Sequence, residues 1–276
     1  MVNGSNYLDG DPMDRWRLLK FETHNAYMNM AIDEAIMDAR TRMLVPNTLR
    51  FYRWNPSAVS IGYFQKLETE VYLENCKKQN VDVVRRISGG GAVYHDACGE
   101  ITYSVVADKE SLKADDYLDF YTKIYAGIVE ALKILGLEAD FQKGDAKNCP
   151  NLTVKNKKIS GSAQYHRGGI ILQHGTILLD VNLEKMFTLL RVPWAKTCME
   201  VVEIAKNRIT SIKAELGKEI PIDIVHDALI DGFQRALNVS FKEEILTSYE
   251  KALAKKLYEE KYSRKEWNFT GKTSMK

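Results

Sequence analysis

Apolar residues in the first half of the chain recur with two different periods. From Asn25 to Met43 they recur at helical spacing, and this pattern predicts an amphipathic helix. A longer helix is predicted from about Asp115 to Leu135, because apolar residues line one face and Gly136 suits its C-terminal end. Short segments dominated by β-branched and aromatic residues predict strands instead. These segments cover residues 16–22, 48–54, 58–64, 81–86, 92–95 and 101–106.

The second half of the chain begins with strands and ends with helices. The pattern is mostly helical from Leu183 onward, including Ile222–Leu237 and Glu244–Tyr262. Short strands joined by tight turns, with helices between groups of strands, predict an α+β fold. Its central sheet is expected to be largely antiparallel or mixed and flanked by helices. The strands predicted in this half cover residues 152–154, 158–164 and 169–181.

Length and composition bound the architecture. The 276 residues are 45% hydrophobic, which is sufficient for one large core. We expect a loose leader over residues 1–14 and a single domain over 15–270 with a helical C-terminal part. A formal net charge of +2 gives no indication of a nucleic-acid partner. No apolar run approaches the roughly 18 residues of a membrane span, so we expect no membrane partner either.

The cysteines and the polar N-terminal segment indicate a compartment. No C-x-x-C pair is present, so neither a zinc site nor a thioredoxin-type motif is supported. The first residues lack the apolar segment of a secretory signal. We therefore expect a reduced, cytoplasmic protein. The four cysteines are Cys76, Cys98, Cys149 and Cys198.

The most unusual stretch of the sequence is RRISGGGAVYHD, from Arg85 to Asp96. Three consecutive glycines cost backbone entropy, so a fold that retains them usually needs positive φ or the close approach of another group. Bare N–H groups in such a turn form a concave site for an anion. Arg85 and Arg86 arrive on the preceding strand, and strand alternation directs only one of them to the concave side. That arginine is suited to bind a carboxylate or a phosphate.

The spacing of these glycines matches neither of the common nucleotide-binding signatures. A Walker loop needs G-x-x-x-x-G-K-[ST], and the dinucleotide fingerprint needs G-x-G-x-x-G before a helix, whereas here strands are predicted on both sides. The residues alone therefore leave two interpretations open. One is an anion cradle, and the other is a glycine-rich hairpin turn with a solvated arginine and a structural histidine.

A series of motifs resembles the biotin/lipoate protein ligase family, in particular its lipoate–protein ligase branch. The resemblance covers about residues 16–268 and implies the catalytic-domain fold of that family. In chain order the motifs are MNMAIDEAI (28–36), LRFYRWNPSAVSIGYFQ (49–65), RRISGGGAVYHD with GEITYSVV (85–106), KKISGSAQ (157–164), ILQHGTILLD (171–180) and KYSRKEWN (261–268).

The resemblance implies an ATP-dependent lipoate–protein ligase. Such an enzyme converts lipoate to an acyl-adenylate and transfers the acyl group to a lysine of a small carrier. Lipoate is then the substrate, and ATP with Mg²⁺ completes the reaction, with unknown metal ligands. The implied partners are lipoyl carrier proteins, namely the glycine cleavage H protein and the lipoyl domains of 2-oxoacid dehydrogenases.

Lys158 aligns with the family lysine that contacts the acyl-phosphate and carbonyl oxygens, and the resemblance implies that it is catalytic. A fixed positive charge there would stabilise the charge that develops in both half-reactions. The residues alone leave this role open, because KNKK (155–158) is a lysine-rich turn and exposed lysine is the default. The implied phosphate cradle consists of Gly89, Gly90, Gly91 and either Arg85 or Arg86.

Further substrate-binding residues are expected around this cradle. Small residues after Lys158 let a ligand lie against the strand. His95 and Asp96 suggest a general base, but adjacent strand residues point to opposite faces, so we expect the pair to shape the site. The remaining candidates for substrate or ATP binding are Tyr63, Gln65, Ser160, Gly161, Ser162 and His174.

Two alternatives to the ligase stay open. A second branch of the fold transfers octanoate from acyl carrier protein through a cysteine thioester, without ATP. Cys149 lies in the corresponding loop, nine residues before Lys158, and nearby positive charge would activate its thiolate. Gly91 favours the ligase, because we expect a bulky cation there in a transferase. The other alternative is a two-chain ligase whose catalytic half needs an accessory subunit.

Overall fold

A computed structural model describes residues 14–144, 149–192, 195 and 197–273. Of the predicted leader it includes only Asp14, which begins a strand; residues 1–13 lie outside the described residues. The strands are β1 (Asp14–His24), β2 (Thr48–Trp54), β3 (Ala58–Ile61), β4 (Asp82–Arg85), β5 (Val93–His95), β6 (Glu100–Asp108), β7 (Asp140–Gln142), β8 (Asn151–Val154), β9 (Lys157–Arg167), β10 (Ile170–Leu178) and β11 (Val239–Glu244).

Helices lie between groups of strands along the chain and predominate after β10. They are α1 (Ala26–Thr41), α2 (Leu67–Glu70), α3 (Leu73–Lys78), α4 (Tyr117–Ile134), α5 (Leu183–Leu189), α6 (Cys198–Lys206), α7 (Ile212–Leu216), α8 (Ile222–Leu237), α9 (Ser248–Leu257) and α10 (Lys265–Thr270), and a π-helical turn covers Tyr258–Tyr262. Within the described residues, no helix combines the length and the apolar content that crossing a bilayer requires.

Eight strands form one mixed sheet in the order β11–β1–β2–β6–β10–β9–β8–β7. β1 pairs in parallel with β11 and β2, whereas the other neighbours are antiparallel. Helices α4 and α8 pack on one face of the sheet, and α1 and α9 pack on the other. The predicted α+β fold with a mixed sheet flanked by helices is confirmed.

Neighbouring residues of the central strands belong to different cores, because successive side chains of a strand point to opposite faces. Leu18 packs on the side of α4 and α8, whereas Leu19 packs on the side of α1 and α9. Val105 and Val106 divide in the same way. Most polar side chains in these strands therefore need a hydrogen-bond partner from the protein.

Strands β3, β4 and β5 form a second, smaller sheet in the order β4–β3–β5. Because β4 and β5 lie on opposite sides of β3, the glycine run is not a hairpin turn. The chain instead crosses the C-terminal end of β3, where Arg86 N donates to Ile61 O and Tyr63 N donates to Ser88 O. The interpretation of the glycines as a hairpin is therefore wrong.

The C-terminal region contains a strand that the sequence pattern did not predict. β11 extends the main sheet through parallel pairing with β1. The helix predicted from Glu244 begins only at Ser248, because Thr247 and Glu250 form a capping box at its start. The strand predicted over 58–64 also ends early, at Ile61.

A fully buried ion pair attaches α9 to the sheet. Arg17 Nη1 and Nη2 donate to the two carboxylate oxygens of Glu250 at 2.9 and 2.5 Å, and neither side chain is exposed. Arg17 Nε donates to Thr48 Oγ1 at 3.0 Å. Glu250 also accepts from the backbone N–H of Thr247 at 2.7 Å. Removing one charge of such a pair leaves the other buried without compensation.

We predict that Glu250→Gln lowers the free energy of unfolding by about 3–5 kcal/mol, because it leaves the Arg17 guanidinium buried without an anion. Urea unfolding followed by circular dichroism measures the change. The control is Glu243→Gln, which makes the same substitution at an exposed position of β11 and should change the unfolding free energy by no more than about 0.5 kcal/mol. Equal stability of the two variants would contradict the prediction.

Candidate active site

A cavity of about 290 Å³ lies between the two sheets. This is at the small end of the roughly 300–1,000 Å³ that ligand sites occupy. Cys149, Lys158 and Arg86 lie on its wall together with His95 and His174. Much of the remaining wall is apolar and includes Trp54, Val93, Leu178, Met186, Phe187 and Leu190. The cavity therefore combines cations and a thiol with an apolar compartment.

The glycine turn is packed tightly against the end of β3. A β-carbon added at Gly62 would lie 2.1 Å from Gly90 O, a distance that no side chain can occupy. Gly90 has φ +90°, a conformation that favours glycine. Two glycines on different segments thus allow the turn to cross β3 closely and to expose its backbone to the cavity.

Arg86 holds the glycine turn from within. Its Nη2 donates to the carbonyls of Gly89 and Gly91, both at 2.8 Å. Its Nη1 donates to Ser60 Oγ at 2.8 Å, and its Nε donates to Ser88 Oγ at 3.2 Å. These four bonds use four of the five guanidinium N–H groups. Arg86 therefore fixes the shape of the turn and keeps one N–H available.

The Arg86 guanidinium is buried without a carboxylate next to it among the described residues. The side chain is 5% exposed, and all of its hydrogen-bond partners there are neutral. This desolvation lowers the pKa of Arg86 to about 10, and negative charge on Cys149 acts in the opposite direction. Arg86 remains a cation at neutral pH whose charge is not cancelled locally.

Lys158 supplies a second cation from the start of β9. Its backbone N–H donates to Arg208 O at 2.7 Å, and its carbonyl accepts from Thr210 N at 2.9 Å, which fixes the residue against the segment after α6. The side chain is open to the cavity, yet the surrounding protein desolvates it and lowers its pKa, while negative charge on Cys149 raises it. Within the described ranges no side chain forms an ion pair with the ammonium group.

Cys149 places a free, exposed thiol at the same end of the cavity. A β-carbon added at Gly90 would lie 3.2 Å from Arg86 Nη2 and 3.8 Å from Cys149 Sγ, so both atoms border this glycine. The next residue is held in place, because Pro150 O accepts a hydrogen bond from Tyr125 OH at 3.0 Å. The thiol therefore lies beside the Arg86 guanidinium, on the wall of the cavity that Lys158 also lines.

Most of the predicted site residues lie together on the cavity wall, and the others lie away from it. Arg85 is the clearest correction. Its guanidinium donates to six carbonyl oxygens, three in residues 62–65 and three in residues 267–269. It therefore joins the C-terminal segment to the small sheet and has no free group for a ligand. The predicted residues on the cavity wall are Arg86, Gly90, Gly91, His95, Cys149, Lys158, Gly161, Ser162 and His174.

Five other predicted residues lie off the cavity wall. Gln65 Oε1 accepts from Gly62 N, and Tyr63 packs on Trp267. Asp96 caps the following turn by accepting from the N–H groups of Cys98 and Gly99. These contacts maintain loops instead of binding a ligand. Gly89, whose carbonyl binds Arg86, and Ser160, which is buried in β9, complete this set.

Several residues of the site were not predicted. The apolar wall from α5 and the segment after it has no motif, since Met186 and Leu190 look like ordinary core residues. Tyr125 lies on a helix whose apolar pattern hid its hydroxyl contact to Pro150. Among residues 14–144, 149–192, 195 and 197–273, no cluster of three or more His, Cys, Asp or Glu side chains is arranged to hold a metal ion. The metal ligands stay unassigned.

Comparisons with known proteins show what this chain is similar to. A family model described as the lipoyl protein ligase A/B catalytic domain matches residues 25–234. The chain is 39% identical over 271 residues to the octanoyltransferase LipM of Clostridioides difficile (strain 630), covering 93% of this chain and 99% of the relative. It is 35% identical over 276 residues to the octanoyltransferase LipM of Halalkalibacterium halodurans, with 93% and 99% covered.

A solved structure shares the whole architecture. It is the bipartite lipoate protein ligase of an archaeal lipoylation system from Thermoplasma acidophilum, whose description includes its E2 lipoyl domain. The two chains superpose with a TM-score of 0.80 at 35% identity, covering 93% of this chain and 96% of the other. The expected family fold is therefore confirmed over nearly the full chain.

We predict that Gly161→Ala abolishes most activity without unfolding the protein. An added methyl would lie 2.6 Å from both Cε and Nζ of Lys158, and the flexible end of that side chain would move away from the cavity. The melting temperature should change little, while the turnover number falls by about tenfold or more. Gly89→Ala is the control, because its added methyl would meet no atom within 4 Å. Equal turnover of the two variants would contradict the prediction.

Proposed function

This chain belongs to the lipoyl protein ligase A/B catalytic-domain family, and from that premise we propose that it is an octanoyltransferase. It transfers an octanoyl group from an acyl carrier protein thioester to the ε-amine of a lysine on a lipoyl domain, through a thioester on Cys149. The observation that supports this most directly is the placement of Arg86 and Lys158, two desolvated cations, beside the Cys149 thiol.

The expectation of an ATP-dependent lipoate–protein ligase is wrong. Curated relatives that match nearly the full length at 39% and 35% identity are octanoyltransferases. Lipoate as substrate and ATP with Mg²⁺ were expected for the ligase reaction and are wrong with it. The accessory subunit, expected for a two-chain ligase, has no support among these relatives. Gly91 does not distinguish a ligase from a transferase. No atom lies within 4 Å of where its β-carbon would be, so a side chain would fit there.

The first half-reaction exchanges one thioester for another. The Cys149 thiolate attacks the carbonyl carbon of the donor thioester, and a C–S bond forms as the carbonyl oxygen becomes an oxyanion. Arg86 and Lys158 offer N–H donors on the wall where this charge develops, a contribution commonly worth about 3–4 kcal/mol per donor. The bond to the carrier sulfur then breaks, and that sulfur leaves with the electron pair and takes up a proton.

The second half-reaction forms an amide. The neutral ε-amine of the acceptor lysine attacks the carbonyl carbon of the acyl-Cys149 thioester, and the same cations stabilise the second oxyanion. The C–S bond breaks, and Cys149 Sγ leaves with the electron pair and accepts the proton that the amine loses. An amide is more stable than a thioester, so the transfer requires no nucleotide.

The apolar end of the cavity is suited to the octanoyl tail. The whole cavity has a volume of about 290 Å³. Its apolar wall, which includes Val93, Met186, Phe187 and Leu190, would shield a short aliphatic chain from water. Each buried methylene contributes about 0.8 kcal/mol to binding. The polar end of the same cavity would then hold the thioester carbonyl next to the cations.

The partners follow from the proposed reaction. The donor is an acylated carrier protein, and the acceptors are lipoyl domains, which accompany the structural relative from Thermoplasma acidophilum. The described cysteines are free thiols, which fits the expected cytoplasmic location. We also propose that residues 15–270 act as one domain, because Arg85 attaches residues 267–269 to the sheet that carries the glycine turn.

One assay tests the proposal. We predict that octanoyl-acyl carrier protein without ATP adds one octanoyl group to an apo lipoyl domain, and that mass spectrometry detects octanoyl-enzyme at Cys149. Cys149→Ser should abolish both signals, while Lys158→Met should slow transfer by about 10²-fold or more. Cys98→Ser removes another exposed thiol and should transfer at the wild-type rate. Transfer that persists in Cys149→Ser would refute the proposal.

A further inference from the structure

Two chains of hydrogen bonds end on Arg86, and each runs from a carboxylate through a histidine and a serine. In the first, Glu100 Oε1 contacts His95 Nδ1 at 2.7 Å, and His95 Nε2 contacts Ser60 Oγ at 2.8 Å. Ser60 Oγ then accepts from Arg86 Nη1 at 2.8 Å. All four side chains are buried. The mechanism derived above uses only Arg86 from this chain.

The second chain repeats this order on the other side of the guanidinium. Asp33 Oδ2 contacts His174 Nδ1 at 3.0 Å, and His174 Nε2 contacts Ser88 Oγ at 2.6 Å. Ser88 Oγ then accepts from Arg86 Nε at 3.2 Å. The carboxylate, histidine and serine of this chain come from α1, β10 and the segment after β4, and Arg86 is the only residue that the two chains share.

The carboxylate at one end of each chain and the guanidinium at the other determine which groups donate hydrogen bonds. The carboxylates accept hydrogen bonds, so each histidine carries a proton on Nδ1, and in a neutral ring Nε2 is then an acceptor. Each serine must then donate its hydroxyl proton to Nε2 and turn its lone pairs toward Arg86. Burial lowers the pKa of His174, which is consistent with a neutral ring at physiological pH.

Other contacts hold both ends of the chains in place. Glu100 Oε1 also accepts from Thr102 Oγ1 at 2.8 Å, and the His95 ring stacks on Trp54 with centroids 4.0 Å apart. Asp33 accepts in addition from Arg50 and from Tyr52 OH, at 2.7 and 3.0 Å. The two carboxylates are therefore rigid starting points for the chains.

We propose that Glu100 and Asp33 are positioning residues, which orient the Arg86 guanidinium through these histidine–serine pairs. The inference rests on the proposed function, in which Arg86 stabilises the oxyanion that forms next to Cys149. Two neutral links separate each carboxylate from the guanidinium. The cation is thereby oriented from two sides, and neither carboxylate pairs with it directly.

The test compares three buried serine-to-alanine variants. Ser60→Ala and Ser88→Ala each remove one link, and Ser104→Ala is the matched control, since the buried Ser104 Oγ has no hydrogen-bond partner among the described residues. Two readouts apply: the rate of octanoyl-enzyme formation in a single turnover, and the rate of Cys149 alkylation by iodoacetamide at pH 7. Peptide mass spectrometry separates Cys149 from the exposed Cys98.

We expect Ser60→Ala and Ser88→Ala to slow both rates by about tenfold, because an unanchored guanidinium no longer holds its positive charge close to the reacting sulfur. Ser104→Ala should match the wild type. Wild-type rates in both link variants, or an equal loss in Ser104→Ala, would overturn the inference.

A second pair of variants decides the outcome if a serine variant fails to fold. Glu100→Gln retains an oxygen that accepts from His95, whereas Glu100→Met keeps the size and removes the acceptor. Glu100→Gln should retain more activity and faster alkylation than Glu100→Met, and equal rates would overturn the inference. The two readouts separate the positioning role from the proposed function, because alkylation needs only the free enzyme. If the wild-type chain accepts no octanoyl group, the proposed function is refuted, and the alkylation rates still test the positioning role.

Discussion

A buried guanidinium with no adjacent carboxylate is the constraint on which the rest of the site depends. Burying an unpaired charge costs several kcal/mol unless hydrogen bonds replace its water. Arg86 obtains these bonds from two serines and from two carbonyls of the glycine turn. The turn can supply its carbonyls only because it crosses β3 at Gly62, where a side chain would collide with Gly90 O. The glycines are thus required by the arginine as much as by any ligand.

Two adjacent arginines have opposite roles because a strand alternates its side chains. Arg86 points to the cavity, and Arg85 points to the C-terminal segment, where it binds backbone carbonyls of Trp267, Asn268 and Phe269. Burial lowers the pKa of Arg85, but carbonyl dipoles surround its charge. One cation therefore stabilises the tertiary structure, and its neighbour remains available for chemistry.

The sequence predicted the features that depend on local pattern. The helix from Asn25 was recognisable because apolar residues recur at helical spacing, and β6 and β10 were recognisable as short segments rich in β-branched residues. Alternation also showed that only one arginine faces the glycine turn, but the choice between them depends on which strands β4 joins. β11 was missed because its partner, β1, is more than 200 residues away. The family resemblance located Cys149 and Lys158, whereas the identity of the reaction needed relatives of known activity.

The hydrogen bonds from Arg85 to residues 267–269 have a consequence for biosynthesis. A ribosome completes strand β4 long before it adds residues 267–269, so the carbonyls that surround Arg85 arrive 182 to 184 residues later. Until then the guanidinium must stay hydrated, and the small sheet that carries the glycine turn lacks its last support. A nascent chain that has not reached residue 267, or a chain shortened by proteolysis before it, would therefore hold the Cys149 thiol beside a glycine turn that lacks this support.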